Sequence, residues 1–319
     1  MRTAVLLFSF ALGVLAAPLA GQAQQPARLP RIGFLGKVVP DHLTTFRQGL
    51  AEAGYVERQN IAIEYRPVVG QYASDAADLV RLKVDVIVAV GPAALRGAAR
   101  ATKTIPIVAI DLESDPVESG FAASLSRPGG NITGSFLDTP ELMGKWLELV
   151  KETVPGLSRV AALWDPAQRH VQLEAAKAAA RSLALQLQTV EVRGPDDLER
   201  ALAATIPGRP EALIQLPSPL TFFGAKQIAG FASKHRLPSI SMFREFPEAG
   251  GLIAYGPNLA DLFERCGTYT ARVLKGASPG GLPIERPAKF ELIINLKTAT
   301  ALGLTISQSL LVRADEIIK

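Results

Sequence analysis

Short apolar runs alternate along the chain with stretches whose apolar residues recur at intervals of three and four. Arg31 to Gly36 (RIGFLG) is such a run, stopped by glycine, and after it Leu43, Phe46, Leu50 and Ala53 fall on one helical face. The spacing predicts a buried strand followed by an amphipathic helix over Asp41 to Gly54. It continues as a strand over Ile61 to Val68, a helix over Gln71 to Leu82, a strand over Val84 to Val90, a helix over Ala93 to Ala101 and a strand over Ile105 to Ile110. Runs such as VDVIVAV have no polar face, which suits central parallel strands covered on both sides.

The second half repeats this rhythm. Strand starts at Arg31, Ile61, Val84 and Ile105 are matched at Arg159, Leu187, Ala212 and Leu237, offsets of 128, 126, 128 and 132 residues. Helices are expected over Ala167 to Ala184, Asp196 to Ala204 and Phe222 to His235. So regular an offset predicts an α/β protein of two doubly wound parallel-sheet lobes, each a right-handed βαβ wind, with a ligand cleft between them. A third stretch has a strand at Leu252 to Tyr255, a helix over Ala260 to Leu274, a strand at Glu291 to Leu296 and a terminal helical piece, and it must cover one or both lobes. The expected division is 31–138 plus about 257–284 for the N-terminal lobe and 139–256 plus about 285–319 for the C-terminal lobe. Gly/Pro-rich segments at Arg127 to Gly130 and Ala277 to Pro283 mark turns and expected passages between lobes.

The first residues read as an address. Arg2 precedes an apolar stretch from Ala4 to Ala17 that stops at Pro18, and small residues Gly21 and Ala23 sit at −3 and −1 of a cut before Gln24. Residues 1–23 are therefore an expected secretory signal peptide and 24–30 a polar linker. The apolar stretch is shorter than the ~20 residues of a membrane-spanning helix. Gln22 occupies the place where lipidation would need a cysteine, so the mature chain is expected free in an extracytoplasmic space, unlipidated and without membrane insertion.

Composition narrows the chemistry. The 319 residues, at ~150 per domain, suit two domains, and an apolar fraction of 48% supports real cores and excludes disorder. The 34 basic residues against 30 acidic are scattered, which argues against nucleic acid as a partner. Cys266 stands alone, so no internal disulfide forms, and His42, His170 and His235 have no metal-ligand spacing. No metal or cofactor is expected. Gly129 to Gly134 has the outer glycine spacing of a P-loop, but Ser135 stands where the phosphate-binding lysine is needed. No G-x-S-x-G, H-E-x-x-H or post-strand G-x-G-x-x-G occurs, so no activated nucleophile is in view and an enzyme is not expected. Cys266 shares a helical face with Leu262, Phe263, Tyr269 and Val273 and reads as a buried, inert thiol.

Ligands of open α/β sheets gather beyond the carboxyl ends of the strands, which makes the strand-end residues the candidates. Gly36 and Lys37 follow the first strand. Gly91, Pro92, Ala93 and Ala94 place glycine at a strand end and proline near N1, leaving amides of Ala93 and Ala94 for a carboxylate, in a pattern that ordinary helix starts also show. A second helix N-terminus near Ala167 is expected to face the same cleft. Asp115 and Asp165 each precede a proline, as helix caps or as partners of a ligand amine, and the two roles can coexist. Ser218 lies beyond the third strand of the second half. Trp164, Phe222, Phe223 and Tyr255 fall near cleft loops and can wall a site, with core and cleft equally open for Trp164 and Tyr255. These groups suit an amino acid or related small carboxylate, with a sugar as the second choice.

Five blocks in order, RIGFLG, FRQGLAEAGYVERQNIAIEYR, SRPGGNITG, REFPEAGGLIAYGPNLAD and KFELIINLKTATALGL, make the chain resemble the substrate-binding proteins of ABC transporters, in particular the family associated with tryptophan- and tyrosine-type amino acid uptake. The resemblance covers nearly all of 31–318. It implies a type I periplasmic-binding fold, two lobes joined by three crossings, a small molecule held between them, transporter permease subunits as partners and a monomer. Its Asp-Pro block corresponds to Asp115-Pro116 and its third-strand loop to Gly91 to Ala94. The chain departs from the family pattern there, with no hydroxyl in Val90-Gly91-Pro92, and again at Trp164-Asp165-Pro166, where many relatives carry asparagine before the proline. An extracytoplasmic sensor partnered to a membrane kinase, a sugar receptor and an extracytoplasmic enzyme are the alternatives on the same architecture.

Overall fold

A computed structural model describes residues 28–67, 71–112, 115–137, 139–168 and 170–319. The expected signal peptide and most of the linker lie outside them. The chain opens with β1 (Arg31–Leu35), α1 (Pro40–Glu52), β2 (Ala62–Arg66), α2 (Tyr72–Arg81), β3 (Val86–Val90), α3 (Pro92–Ala101), β4 (Ile107–Leu112) and β5 (Ile132–Phe136). It continues through α4 (Thr139–Thr153), β6 (Arg159–Trp164), α5 (Val171–Ser182), β7 (Gln186–Glu191), α6 (Leu198–Ala203), β8 (Ala212–Gln215), α7 (Pro219–Phe223), α8 (Ala225–Lys234), β9 (Ser239–Ser241), α9 (Glu245–Glu248) and β10 (Ile253–Pro257). The last stretch is α10 (Leu259–Leu274), β11 (Ile284–Glu285), β12 (Phe290–Asn295), α11 (Leu296–Leu302), α12 (Gln308–Arg313) and β13 (Glu316–Ile318).

The strands form two sheets, ordered β11-β5-β4-β3-β1-β2 and β13-β12-β10-β9-β8-β6-β7. The repeated rhythm of the sequence is thus one winding order used twice. The first sheet is parallel throughout. The second has an antiparallel pair, β10 with β12, with Pro257 opposite Phe290 and Ile253 opposite Ile294. The cause is the route of the chain: β10 ends where α10 departs for the first sheet, and β12 re-enters from that same end, so it must run back.

Three passages join the lobes: between β5 and α4, between β10 and α10, and between β11 and β12. The Gly/Pro-rich segments expected to be passages are not. Gly129 N–H donates to the Gly280 carbonyl at 3.1 Å and Ile284 N–H to Leu125 at 2.8 Å, which binds both segments to the edge of the first sheet. The P-loop-like spacing has an equally local explanation, for Gly134 lies inside β5 at φ +136°, where a Cβ would stand 2.0 Å from the Ala109 carbonyl oxygen.

Burial follows the apolar runs. β3 and β5 are buried almost end to end. One cluster fills the α2/α3 side of the first sheet around Leu79, Ile87 and Leu95, and another the α6/α8 side of the second around Leu202, Leu213 and Ile228. A third runs through both lobes and includes Phe34, Phe46, Trp146 and Phe263. Trp146 is wholly buried, and its Nε1–H donates to the Tyr255 carbonyl at 2.7 Å. The helix expected from Ala167 begins at Val171, because Asp165 holds the preceding residues in a turn: its Oδ1 accepts the Ala167 N–H at 2.8 Å. That N–H is therefore already bonded, and no free helix start stands at Ala167. Phe222 to His235 divides into α7 and α8 at Gly224.

Candidate functional site

The carboxyl ends of both sheets face a cleft of about 100 Å³ between the lobes. On the first-lobe side, Lys37 and Val38 follow β1, Val90 and Gly91 close β3, Ile110 ends the apolar part of β4, and His42 and Tyr72 enter from the first turns of α1 and α2. Leu259 and Phe263 reach the same wall from α10. The second lobe supplies Gln168 and Gln172, the loop Pro217-Ser218-Pro219, and three phenylalanines, Phe222, Phe223 and Phe243. A doubly wound sheet produces this convergence because every crossover helix starts at the carboxyl edge.

Of the residues singled out in the sequence, Lys37, Gly91, Ser218, Phe222 and Phe223 line the cleft. Gly36 stands behind Lys37 at φ +128°, its N–H bonded to the Arg66 carbonyl at 3.0 Å, and so fixes where Lys37 emerges. Gly91 sits at φ 87° as the residue before α3, a conformation glycine adopts without strain. Pro92, Ala93 and Ala94 form the first turn behind it, and Ala94 is fully buried.

Trp164 and Asp165 are one layer away. They line a recess of about 10 Å³ that shares Gln168, Gln172 and Pro217 with the cleft, and Asp165 bonds Gln168 Nε2 at 3.4 Å in addition to its turn. Asp115 and Tyr255 are not brought into the cleft. Asp115 Oδ1 accepts from Val117 N at 2.8 Å and Glu118 N at 3.0 Å, so it holds its own turn. Tyr255 alternates on β10 to face Phe290, with ring centroids 6.3 Å apart.

His42, Tyr72, Gln168, Gln172 and Phe263 were not singled out for the cleft by their sequence context. Phe263 carried only the signal of a core helix face, and it is a core residue, 2% exposed, that also borders the cleft. His42 had no partner within reach along the chain; its partner is Glu245, more than two hundred residues later. Phe243 carried only the signal of lying just past a strand end.

The chemistry of the walls is mostly apolar with a few donors. Lys37 Nζ stands 4.3 Å from the Phe223 ring centroid and forms no ion pair among the described residues. Burial pushes the Tyr72 phenol up, which keeps it a hydroxyl donor near neutrality. Ser218 caps α7, its hydroxyl accepting the Thr221 N–H at 3.2 Å. Among the described residues its side-chain partner is Thr221, with no histidine or carboxylate bonded to it. Among the described residues no group of three or more His, Cys, Asp or Glu side chains can hold a metal, and no helix is long and apolar enough to cross a membrane. A broader basin of about 670 Å³ beside β7 is an open surface whose charges are spent on one another, Arg193 with Glu191 at 2.6 Å and Arg200 with Asp197.

Comparison with known proteins agrees with this architecture. Residues 40–318 match the family model for ABC transporter substrate binding proteins. The chain is 26% identical over 266 residues to the tyrosine-binding protein of Clostridioides difficile (strain R20291), a match covering 81% of this chain and 75% of that protein. Among solved structures, the ABC domain from Streptococcus pneumonia in complex with L-Trp superposes with a TM-score of 0.83 at 26% identity, over 91% of this chain and 99% of that one. A ligand-free, open substrate binding protein from Clostridium difficile shares the fold, with a TM-score of 0.63 at 21% identity over 91% and 99% of the two chains. With a family match over most of its length and two doubly wound lobes enclosing an apolar, donor-lined cleft, the chain belongs to the ABC transporter substrate-binding protein family.

Proposed function

We propose that this protein is the periplasmic receptor of an ABC importer, which holds a small organic solute, an amino acid or related small carboxylate, between its lobes and hands it to a membrane permease. The observation that carries the reading is the inter-lobe cleft itself, with Lys37 and Gly91 on one side and Ser218 and Phe222 on the other. The Lys37 ammonium, which has no ion pair among the described residues, and the start of α3 behind Gly91 suit a carboxylate, and the phenylalanines suit an apolar body. Trp164 and Asp165 extend the site through Gln168 and Gln172. The similarity to proteins that bind tyrosine and tryptophan supports an amino acid as the first class to test. We assign 31–138 with about 257–284 to one lobe and 139–256 with about 285–319 to the other, supported by α10 packing on α1 and β12 pairing with β10. The signal-like leader supports export, and a monomer is the working form.

The test is a thermal-shift screen of amino acids, small carboxylates and neutral sugars on the purified mature chain. A solute at 100 times its Kd adds about 2.7 kcal/mol of stability. Stabilisation by an amino acid or carboxylate supports the reading, stabilisation by sugars alone refutes the carboxylate, and chemical turnover of the solute refutes the receptor.

A further inference from the structure

His42 and Glu245 belong to different lobes. His42 lies in the first turn of α1, 5% exposed, and Glu245 is the first residue of α9, between β9 and β10 of the second sheet. Their Nε2 and Oε1 atoms are 3.0 Å apart across the cleft. Phe263 of α10 stacks on the imidazole, with centroids 4.9 Å apart and planes 14° from parallel, so the ring is held by its own lobe while its edge reaches over.

The pair has an unusual balance of costs. Among the described residues Glu245 Oε2 is buried with no hydrogen-bond partner, so in this arrangement the partly exposed carboxylate has one oxygen out of water and the other held by His42. A carboxylate out of water is costly unless it is bonded, and removing one partner of such a pair costs more than replacing both. His42 moves with α1 and Glu245 with the β9–β10 connection, so the bond exists only while the lobes are together. Other contacts across the cleft include Lys37 over Phe223, which sits on an exposed side chain, and the tilted rings of His42 and Phe222, with centroids 6.3 Å apart; both are weaker and less directional than a hydrogen bond.

We propose that His42 and Glu245 form a latch that sets the ratio of closed to open lobes. Neither residue needs to bind solute for this; they are positioning residues. Because only the closed arrangement presents both walls, the apparent affinity of the cleft scales with the closed fraction. That last consequence rests on the reading of the cleft as a solute site; the latch itself does not.

The experiment measures lobe separation in the ligand-free protein by electron–electron double resonance, with labels at exposed Lys103→Cys in the first lobe and Lys234→Cys in the second, the native Cys266 being buried. His42→Phe keeps the stack on Phe263 but cannot donate, and Glu245→Met keeps length but cannot accept. Each single variant is expected to lower the closed-to-open ratio by about threefold or more, His42→Phe the more so because it strands both carboxylate oxygens. The double variant, with both polar partners gone, recovers most of the closed population. Circular dichroism and melting confirm folding, and if one single variant does not fold, the other with the double still decides. Singles that match the wild type, a double variant that adds their effects, or a wild type with no closed population overturns the latch. Failure of every solute in the thermal screen would instead strike the binding reading and leave this result standing.

Discussion

Gly49 of α1 and Gly267 of α10 mark the place where two helices more than two hundred residues apart come closest. A Cβ on Gly49 would stand 1.9 Å from the Glu264 carbonyl oxygen, and one on Gly267 would stand 2.2 Å from that of Phe46. The obstacle is backbone on both sides, so no side chain can swing away. This contact ties α10, which arrives from the second lobe, to the first. Gly267→Ala is therefore expected to cost about 1–3 kcal/mol as the helices are pushed apart. Chemical denaturation of the variant beside the wild type checks it, and an unchanged midpoint would contradict the close approach.

Lys37 and Phe222 carry the proposed recognition from opposite walls. Lys37→Gln is expected to weaken binding of a carboxylate hit by about tenfold or more, as loss of a charged hydrogen-bond partner does. Phe222→Ala should weaken any hit with an apolar body. Calorimetric titration reads both, and a Lys37→Gln protein that binds the acid as well as the wild type would remove the lysine from the site.

Asp165 holds a turn and borders the recess beside the cleft. Asp165→Ala is expected to lower the melting temperature through the lost Ala167 bond, a loss of about 0.5–2 kcal/mol on the scale of capping residues. Measured alongside, the affinity for the same solute decides whether the recess is part of the site, because a pure turn residue would leave it unchanged.

Burial pushes the Cys266 thiol up to about 12, outweighing the Thr270 hydroxyl beside it. The thiolate is the reactive form. At pH 8 the native protein should not react with a soluble aromatic disulfide, and reaction should begin only at denaturant concentrations that unfold the chain. Rapid modification of the folded protein would show that α10 opens locally.

Glu211 is held below the usual glutamate range by the Ser158 and Arg159 backbone amides, at 2.7 and 3.0 Å, with the Arg159 guanidinium also near. A carboxyl whose folded value is depressed stabilises the fold above its unfolded value, and that contribution disappears as pH falls through the folded value. Glu211→Gln should therefore melt below the wild type at neutral pH, and the gap should shrink as the pH is lowered below the ordinary glutamate range. A gap independent of pH would mean that shape, not charge, matters at the start of β6.

The hydrophobic pattern by itself determined the strands and helices, their double winding and the edge at which a site must form. RIGFLG and VDVIVAV are buried strands because an apolar run bounded by turns can satisfy its backbone only inside a sheet, and Gly36, Gly91 and Ser218 mark the carboxyl edge because strands end there. Capping was also local: Asp115 and Asp165 bond amides two or three residues away. What only the tertiary structure decided are relations between distant parts: the antiparallel return of β12, the two Gly/Pro turns that meet at one sheet edge, Tyr255 turned toward Phe290, and His42 set against Glu245. Periodicity reports which face of an element is apolar, and so it placed Phe263 in the core. It carries nothing about which other element meets that face, since that depends on how two sheets and three connecting passages are arranged in space.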